Sequence, residues 1–152
     1  MLFYFIYFCF SPIIYFFLII LQFFNSKIHK HLKYERFSIN QVVSKLRNNN
    51  KKVILFHAAS AGEFEQLKPI LSRLDRSKYF IIQSFTSPTI YDIESKCNLF
   101  DIACYHPIDL WWRAYSFFAK IKPSAYIITR HDIWPAHLFI ASMLKIKILY
   151  IN

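Results

Sequence analysis

The sequence predicts an α/β fold, a parallel sheet with flanking helices, preceded by a transmembrane helix at the N-terminus. Three observations predict it. From Met1 to Ser26 there is no Asp, Glu, Lys or Arg, and the run LFYFIYFCFSPIIYFFLIILQFF is about long enough to cross a bilayer core as a helix. Beyond this segment, apolar runs of strand length alternate with runs of helical spacing over short connections, as in strands joined by crossover helices. The strand runs are nearly continuous in apolar residues, as expected of strands buried on both faces.

The elements follow in chain order. Residues 1–26 read as a membrane anchor, with Pro12 near its middle, where a membrane helix tolerates a kink. A cleaved signal peptide would need a basic start, a short apolar core and a small-residue cleavage site, and none is present. An interfacial helix would carry a charged face, and this run has none. Residues 27–51 form a basic juxtamembrane segment with a short helix. From Lys27 to Lys52 there are eight Lys or Arg against one acid, Glu35, which accounts for seven of the ten net positive charges. Basic residues just after an apolar span place that side in the cytoplasm, and they also suit anionic lipid headgroups. Nucleic acid is disfavoured as a partner, because no basic stripe with interleaved aromatics and no nucleic-acid motif occurs outside this block. SINQVVSKLRNNN reads as a short amphipathic helix with Ser38 as a candidate N-cap.

Residues 52–152 read as the α/β domain. KVILFH is the first strand and EFEQLKPILSRL the first crossover helix, with Phe64, Leu67, Leu71 and Leu74 on one face and Pro69 inside it. YFIIQSF is the second strand. SPTIYDIES is a turn entering a helix, with Pro88 in its first turn. DIACY is a short strand and DLWWRAYSFFAKI an aromatic-rich helix that stops before Pro123. Its Trp111, Trp112, Tyr115, Phe117 and Phe118 read as packing residues, with sugar stacking as the alternative for one tryptophan. AYIIT, WPAHLFIASMLK and IKILYIN complete the pattern as strand, helix and strand. The three cysteines, Cys9, Cys97 and Cys104, show no C-x-x-C spacing, so neither a disulfide framework nor a zinc site is expected. His131 and His137 lie six apart, which is not a metal-ligand spacing on a helix, and no metal is expected.

In a parallel α/β sheet, ligands sit outside the carboxyl ends of the strands. HAASAGE lies at that edge, between the first strand and its helix. Ala58, Ala59, Ser60, Ala61 and Gly62 are all small, and Gly62 is the only glycine in the chain. Small residues admit a ligand close to the backbone, and the helix N-terminus offers free N–H groups. The loop is not G-x-G-x-x-G, so a dinucleotide cofactor is disfavoured and no cofactor is expected. Ser60-Ala61-Gly62-Glu63 also matches the capping box S-x-x-E, in which Ser60 and Glu63 would satisfy each other's backbone N–H groups. From the residues alone, Glu63 is therefore either a cap or an ionised carboxylate able to take a proton.

FHAASAGEFEQLKPIL closely resembles the first motif of the 3-deoxy-D-manno-octulosonic acid (Kdo) transferases, a pattern near H-A-x-S-x-G-E. His57, Ala58, Ser60, Gly62 and Glu63 match it. SFTSPTIYD, YHPIDLWWRAYSFFAKIKPSAYII and DIWPAHL resemble later motifs of the same family in the same order, and the anchor with its basic tail resembles the family's N-terminus. The resemblance implies a glycosyltransferase of the two-domain GT-B architecture, of which this chain would be the Rossmann-like N-terminal, acceptor-binding half, with the C-terminal donor-binding domain absent. It implies transfer of Kdo from CMP-Kdo to a lipid A precursor in lipopolysaccharide biosynthesis, at the inner membrane, with inversion. Glu63 would be the general base. Ser60, Gly62, Arg130 and Asp132 would contact the acceptor, and CMP-Kdo would need the missing half, so the chain alone is not expected to turn over.

Besides the absent donor-binding half, which is the larger departure, the chain departs from the family at Arg130. The family's fourth strand ends in E-x-E-x-W-P-N, and here Arg130-His131-Asp132-Ile133-Trp134-Pro135-Ala136 stands there. Asp132 keeps the second acid, and Arg130 reverses the charge of the first. Arg130 is then a candidate phosphate or carboxylate binder, with a surface ion pair to Asp132 as the alternative. Another membrane-bound glycosyltransferase of the same architecture, and an inactive membrane-anchored remnant or binding module, are the competing functions. The number of Kdo units, the acceptor hydroxyl and the oligomeric state leave no trace in the sequence.

Overall fold

The computed structural model describes residues 2–129 and 133–151. Two N-terminal helices, α1 (Leu2–Leu21) and α2 (Ser26–Leu46), precede the alternating domain. That domain runs β1 (Lys52–Ala58), α3 (Ala61–Leu71), β2 (Tyr79–Phe85), α4 (Pro88–Glu94), β3 (Ile102–Tyr105), α5 (Trp111–Ile121), β4 (Ala125–Thr129), α6 (Pro135–Met143) and β5 (Lys147–Ile151). All five strands are parallel, in the order β3-β2-β1-β4-β5. The expected Rossmann-like α/β fold is therefore present, with every expected strand.

The sheet is covered on both faces, which explains its unbroken apolar strands. On one face, Phe64, Leu67 and Leu71 of α3 and Ile90 of α4 pack on Ile54, Phe56, Ile81 and Phe85. On the other, Phe117, Phe118 and Ile121 of α5, Ile140 of α6 and Val42 of α2 pack on Leu55, Ile82 and Ile128. The aromatic run of α5 divides by face. Phe117 and Phe118 are buried, Trp111 and Tyr115 are exposed, and Trp112 stands edge-on to Tyr15 of α1.

The second helix differs from its sequence reading. The helix expected to begin at Ser38 starts a dozen residues earlier, where the Asn25 side chain accepts from the backbone N–H groups of Lys27 and Ile28. Ser38 is no cap. It is buried in mid-helix, donating to the Glu35 carbonyl and accepting from the Tyr105 backbone N–H. The basic segment is thus one face of a long helix docked on β3 and α5. Glu35 explains the docking. Its buried carboxylate accepts from Arg113 at 2.9 Å and from the Ile108 N–H at 3.3 Å, and lies 3.4 Å from His31 Nε2. A charge this buried is tolerated only when paired and hydrogen-bonded in this way.

Helix α1 is long and apolar enough to cross a membrane by length and composition. One side of it rests on the domain. Tyr4 and Phe8 pack against Phe139 of α6, and Tyr7 donates to the Asp109 carboxylate at 2.8 Å. The Arg113 guanidinium lies over the Tyr15 ring. The opposite side exposes Phe3, Phe10, Phe16 and Phe17.

Candidate functional site

Strand order places a topological switch between β1 and β4, where neighbouring connections leave to opposite faces and a crevice opens at the carboxyl edge. The β1–α3 turn lies there. Ser60 is the N-cap of α3, and its Oγ accepts from the Glu63 N–H at 3.4 Å. Glu63 folds back, and its Oε2 accepts from the Ala59 N–H at 2.6 Å and the Ser60 N–H at 3.2 Å. The capping box is formed in full. Only one carboxylate oxygen does this work. Among the described residues, none bonds Oε1, and Glu63 is only half-buried.

Gly62 occupies the second helical position, and its backbone has no left-handed conformation to require glycine. A Cβ built there meets nothing within 4 Å. Among the described residues, then, nothing demands a glycine, although glycine in a helix is typically less favourable than alanine. The open space lies beside Glu63 on the exposed side of the turn.

Beneath the turn is a buried polar cluster. The Ser84 hydroxyl donates to the Phe56 carbonyl at 3.0 Å, so its oxygen is left to accept from two rings, His57 Nδ1 at 3.0 Å and His106 Nδ1 at 3.1 Å. His106 then carries its proton on Nδ1, and its Nε2 accepts from the Tyr126 hydroxyl at 3.1 Å. Burial, followed by the neighbouring His57, His137 and His31, pushes the His106 pKa well below the ordinary histidine value, so this ring is neutral. The His57 and His106 rings stack with centroids 3.8 Å apart. His57, the first residue of the family-like motif, is wholly buried. It ties the ends of β1 and β2 together beneath the surface of the site.

Asp109 is a structural centre that sequence reasoning missed. It accepts from the Ala136 N–H at 3.2 Å and the His137 N–H at 3.1 Å, capping α6, whose own N-cap residue Trp134 makes no side-chain cap bond. It also pairs with His137 Nδ1 at 2.7 Å. Burial opposes its ionisation, but the His137 contact, the Tyr7 hydroxyl and the Ala136 N–H together hold its pKa below the usual carboxylate value. Asp109 thus joins the HPID segment to the WPAH segment, 27 residues apart along the chain. The signal available in the sequence was their joint presence in order. Arg130 and Asp132, expected at the acceptor surface, lie outside the described residues, as does His131. Among the described residues, no three His, Cys, Asp or Glu gather in a metal-holding group.

With this geometry in place, the comparisons are decisive. Residues 32–152 match the family described as 3-deoxy-D-manno-octulosonic-acid transferase (Kdo transferase). The chain belongs to the Kdo transferase family. The match is to the family's N-terminal region and takes in α2 from residue 32 onward and the whole sheet. A stretch of 102 residues is 28% identical to the 3-deoxy-D-manno-octulosonic acid transferase of Aquifex aeolicus (strain VF5), covering 66% of this chain and 28% of that protein's length. The turn that carries Ser60, Gly62 and Glu63 lies within the matched region.

Proposed function

We propose that this chain is the acceptor-binding half of a Kdo transferase, acting at the cytoplasmic face of the inner membrane on a lipid A precursor, with Glu63 as general base. The observation that carries the reading is the division of labour in the Glu63 carboxylate. Oε2 is fixed by two backbone N–H groups, which aims the side chain, and Oε1 is left to meet an acceptor hydroxyl. Proton transfer needs the base within hydrogen-bond reach of that hydroxyl. As the acceptor oxygen attacks the anomeric carbon of Kdo from the face opposite the leaving group, its proton passes to Oε1 and CMP departs with the bonding pair. Attack from that face inverts the centre. The open space at Gly62 lets a sugar ring come close to the helix start, and Ser60 offers a hydroxyl beside it.

CMP-Kdo would be held by the second, nucleotide-binding half of the GT-B architecture. Transfer is therefore measured with that half supplied as a separate polypeptide, using CMP-Kdo and a phosphorylated, acylated glucosamine disaccharide. Glu63→Gln keeps a side-chain oxygen for the capping box and removes the base. Transfer falls about 10²–10⁴-fold, the usual worth of a positioned acid or base, and the melting temperature stays near the parent's. Retained transfer would show that the base is another group. Loss of stability with transfer intact would leave Glu63 as a cap only.

A further inference from the structure

Between α1 and the carboxyl edge of the sheet lies a slot of about 360 Å3, within the size range of small-ligand sites. Its lining is mainly apolar. Ile14 and Leu18 of α1 face Ile28 of α2 and Ile108 of the β3–α5 loop, and the exposed Lys27 also borders it. The slot reaches His106 and Trp134. The His106 ring is the one that stacks on His57 beneath the Ser60–Glu63 turn.

We propose that this slot takes one acyl chain of the lipid acceptor. One wall is formed by Tyr7, Ile14 and Leu18 of α1, whose other side exposes Phe10, Phe16 and Phe17. A chain could therefore pass from lipid into the slot along a continuous apolar surface, without crossing water. The exposed Lys27, in the first turn of α2, gives the same entrance a positive charge that suits a phosphorylated headgroup. His106 and Trp134 border the slot toward the carboxyl edge of the sheet, the edge that carries Glu63. The identity of the lipid rests on the acceptor reading above. Acyl binding needs no donor, so the two can fail separately.

The test is photo-crosslinking of the full chain in phosphatidylglycerol vesicles that carry a diazirine on the acyl chain, with adducts mapped by mass spectrometry. Adducts are expected on Ile28 and Ile108 as well as on the outer face of α1. Addition of the acylated glucosamine disaccharide, near ten times its Kd, should lower the Ile108 adduct about tenfold by mass action and leave the adducts on Phe16 and Phe17 unchanged. The double variant Ile14→Phe, Ile28→Phe fills the slot with apolar volume. It should erase the Ile108 adduct while vesicle binding and the α1 adducts persist, which also shows that the protein remains folded and docked. Adducts confined to the outer face of α1 would overturn the slot. An Ile108 adduct indifferent to the disaccharide would overturn the acceptor as its occupant and leave a bound phospholipid.

Discussion

At the scale of single residues, Gly62 and Glu63 show how little a local pattern decides. S-x-x-E from Ser60 to Glu63 reads first as a cap and only second as a site, and in the structure the cap is complete. What the pattern could not show is that Oε2 alone makes it. Gly62 is the sharper case, since its Cβ position is empty. Gly62→Ala should leave the melting temperature unchanged or slightly higher, because alanine is favoured over glycine in helices by up to about 1 kcal/mol. The same substitution should raise the KM for the acceptor if a sugar uses that space, measured in the reconstituted transfer assay. A higher melting temperature with an unchanged KM would mean that the space serves nothing.

At the scale of elements, buried carboxylates far from the turn hold the helices that frame it. Glu35 docks α2 onto α5 through Arg113. Removing one partner of a buried pair strands the other, and such losses reach about 3–5 kcal/mol. Arg113 keeps some solvent access, so Glu35→Ala should cost somewhat less, roughly 2–4 kcal/mol on that same scale, read from denaturant unfolding in detergent. Asp109 caps α6 from another loop. Asp109→Asn weakens bonds made to a charged acceptor, each worth about 1.5–3 kcal/mol, and should destabilise the protein more than Tyr7→Phe, which removes only the hydroxyl that reaches Asp109 from α1. Equal effects of the two substitutions would place the value of Asp109 in α1 docking rather than in capping. The extent of α2 was not legible in its sequence. The charges that dominate its first turns suggested a solvated tail, and Ser38 suggested a start. Only the packing of Ser38, Ile39 and Val42 against the sheet side shows that the helix is a structural layer.

For the whole molecule, the buried His106 links stability to pH. Unfolded, His106 takes up a proton near its ordinary value of 6.5, and folded it does not until well below that. The unfolded state therefore binds more protons below about pH 6.5, and stability falls as pH falls, by at most about 1.4 kcal/mol per pH unit for one group. The Asp109 carboxylate, held below its ordinary 3.8, contributes stability that is complete above that value and is lost only as pH drops through the lower folded one. Acid titration of the melting temperature should thus show a first decline beginning near pH 6.5 and a second below about pH 4. His106→Phe should lower the baseline and flatten the first decline. If the first decline keeps its slope, another histidine is responsible.

The sequence by itself determined the class of this protein. Continuous apolar strands separated by helical periods demand a parallel sheet covered on both faces, because that is the arrangement that buries such strands completely, and the ordered motifs from His57 to Trp134 carried the family. It also placed Glu63 at a carboxyl edge, because a β–α turn in a parallel sheet must end there. The tertiary structure decided which residues meet. The strand order put β1 beside β4, and the packed domain gathers His57, His106 and His137 into one buried cluster, in which His57 stacks on His106 and His137 meets His106 at a tilt. It also brought Asp109 under α6 and laid one side of α1 along the domain. These are long-range pairings, fixed by how whole elements pack and by the need to satisfy every buried polar atom, and no local run of residues encodes either condition.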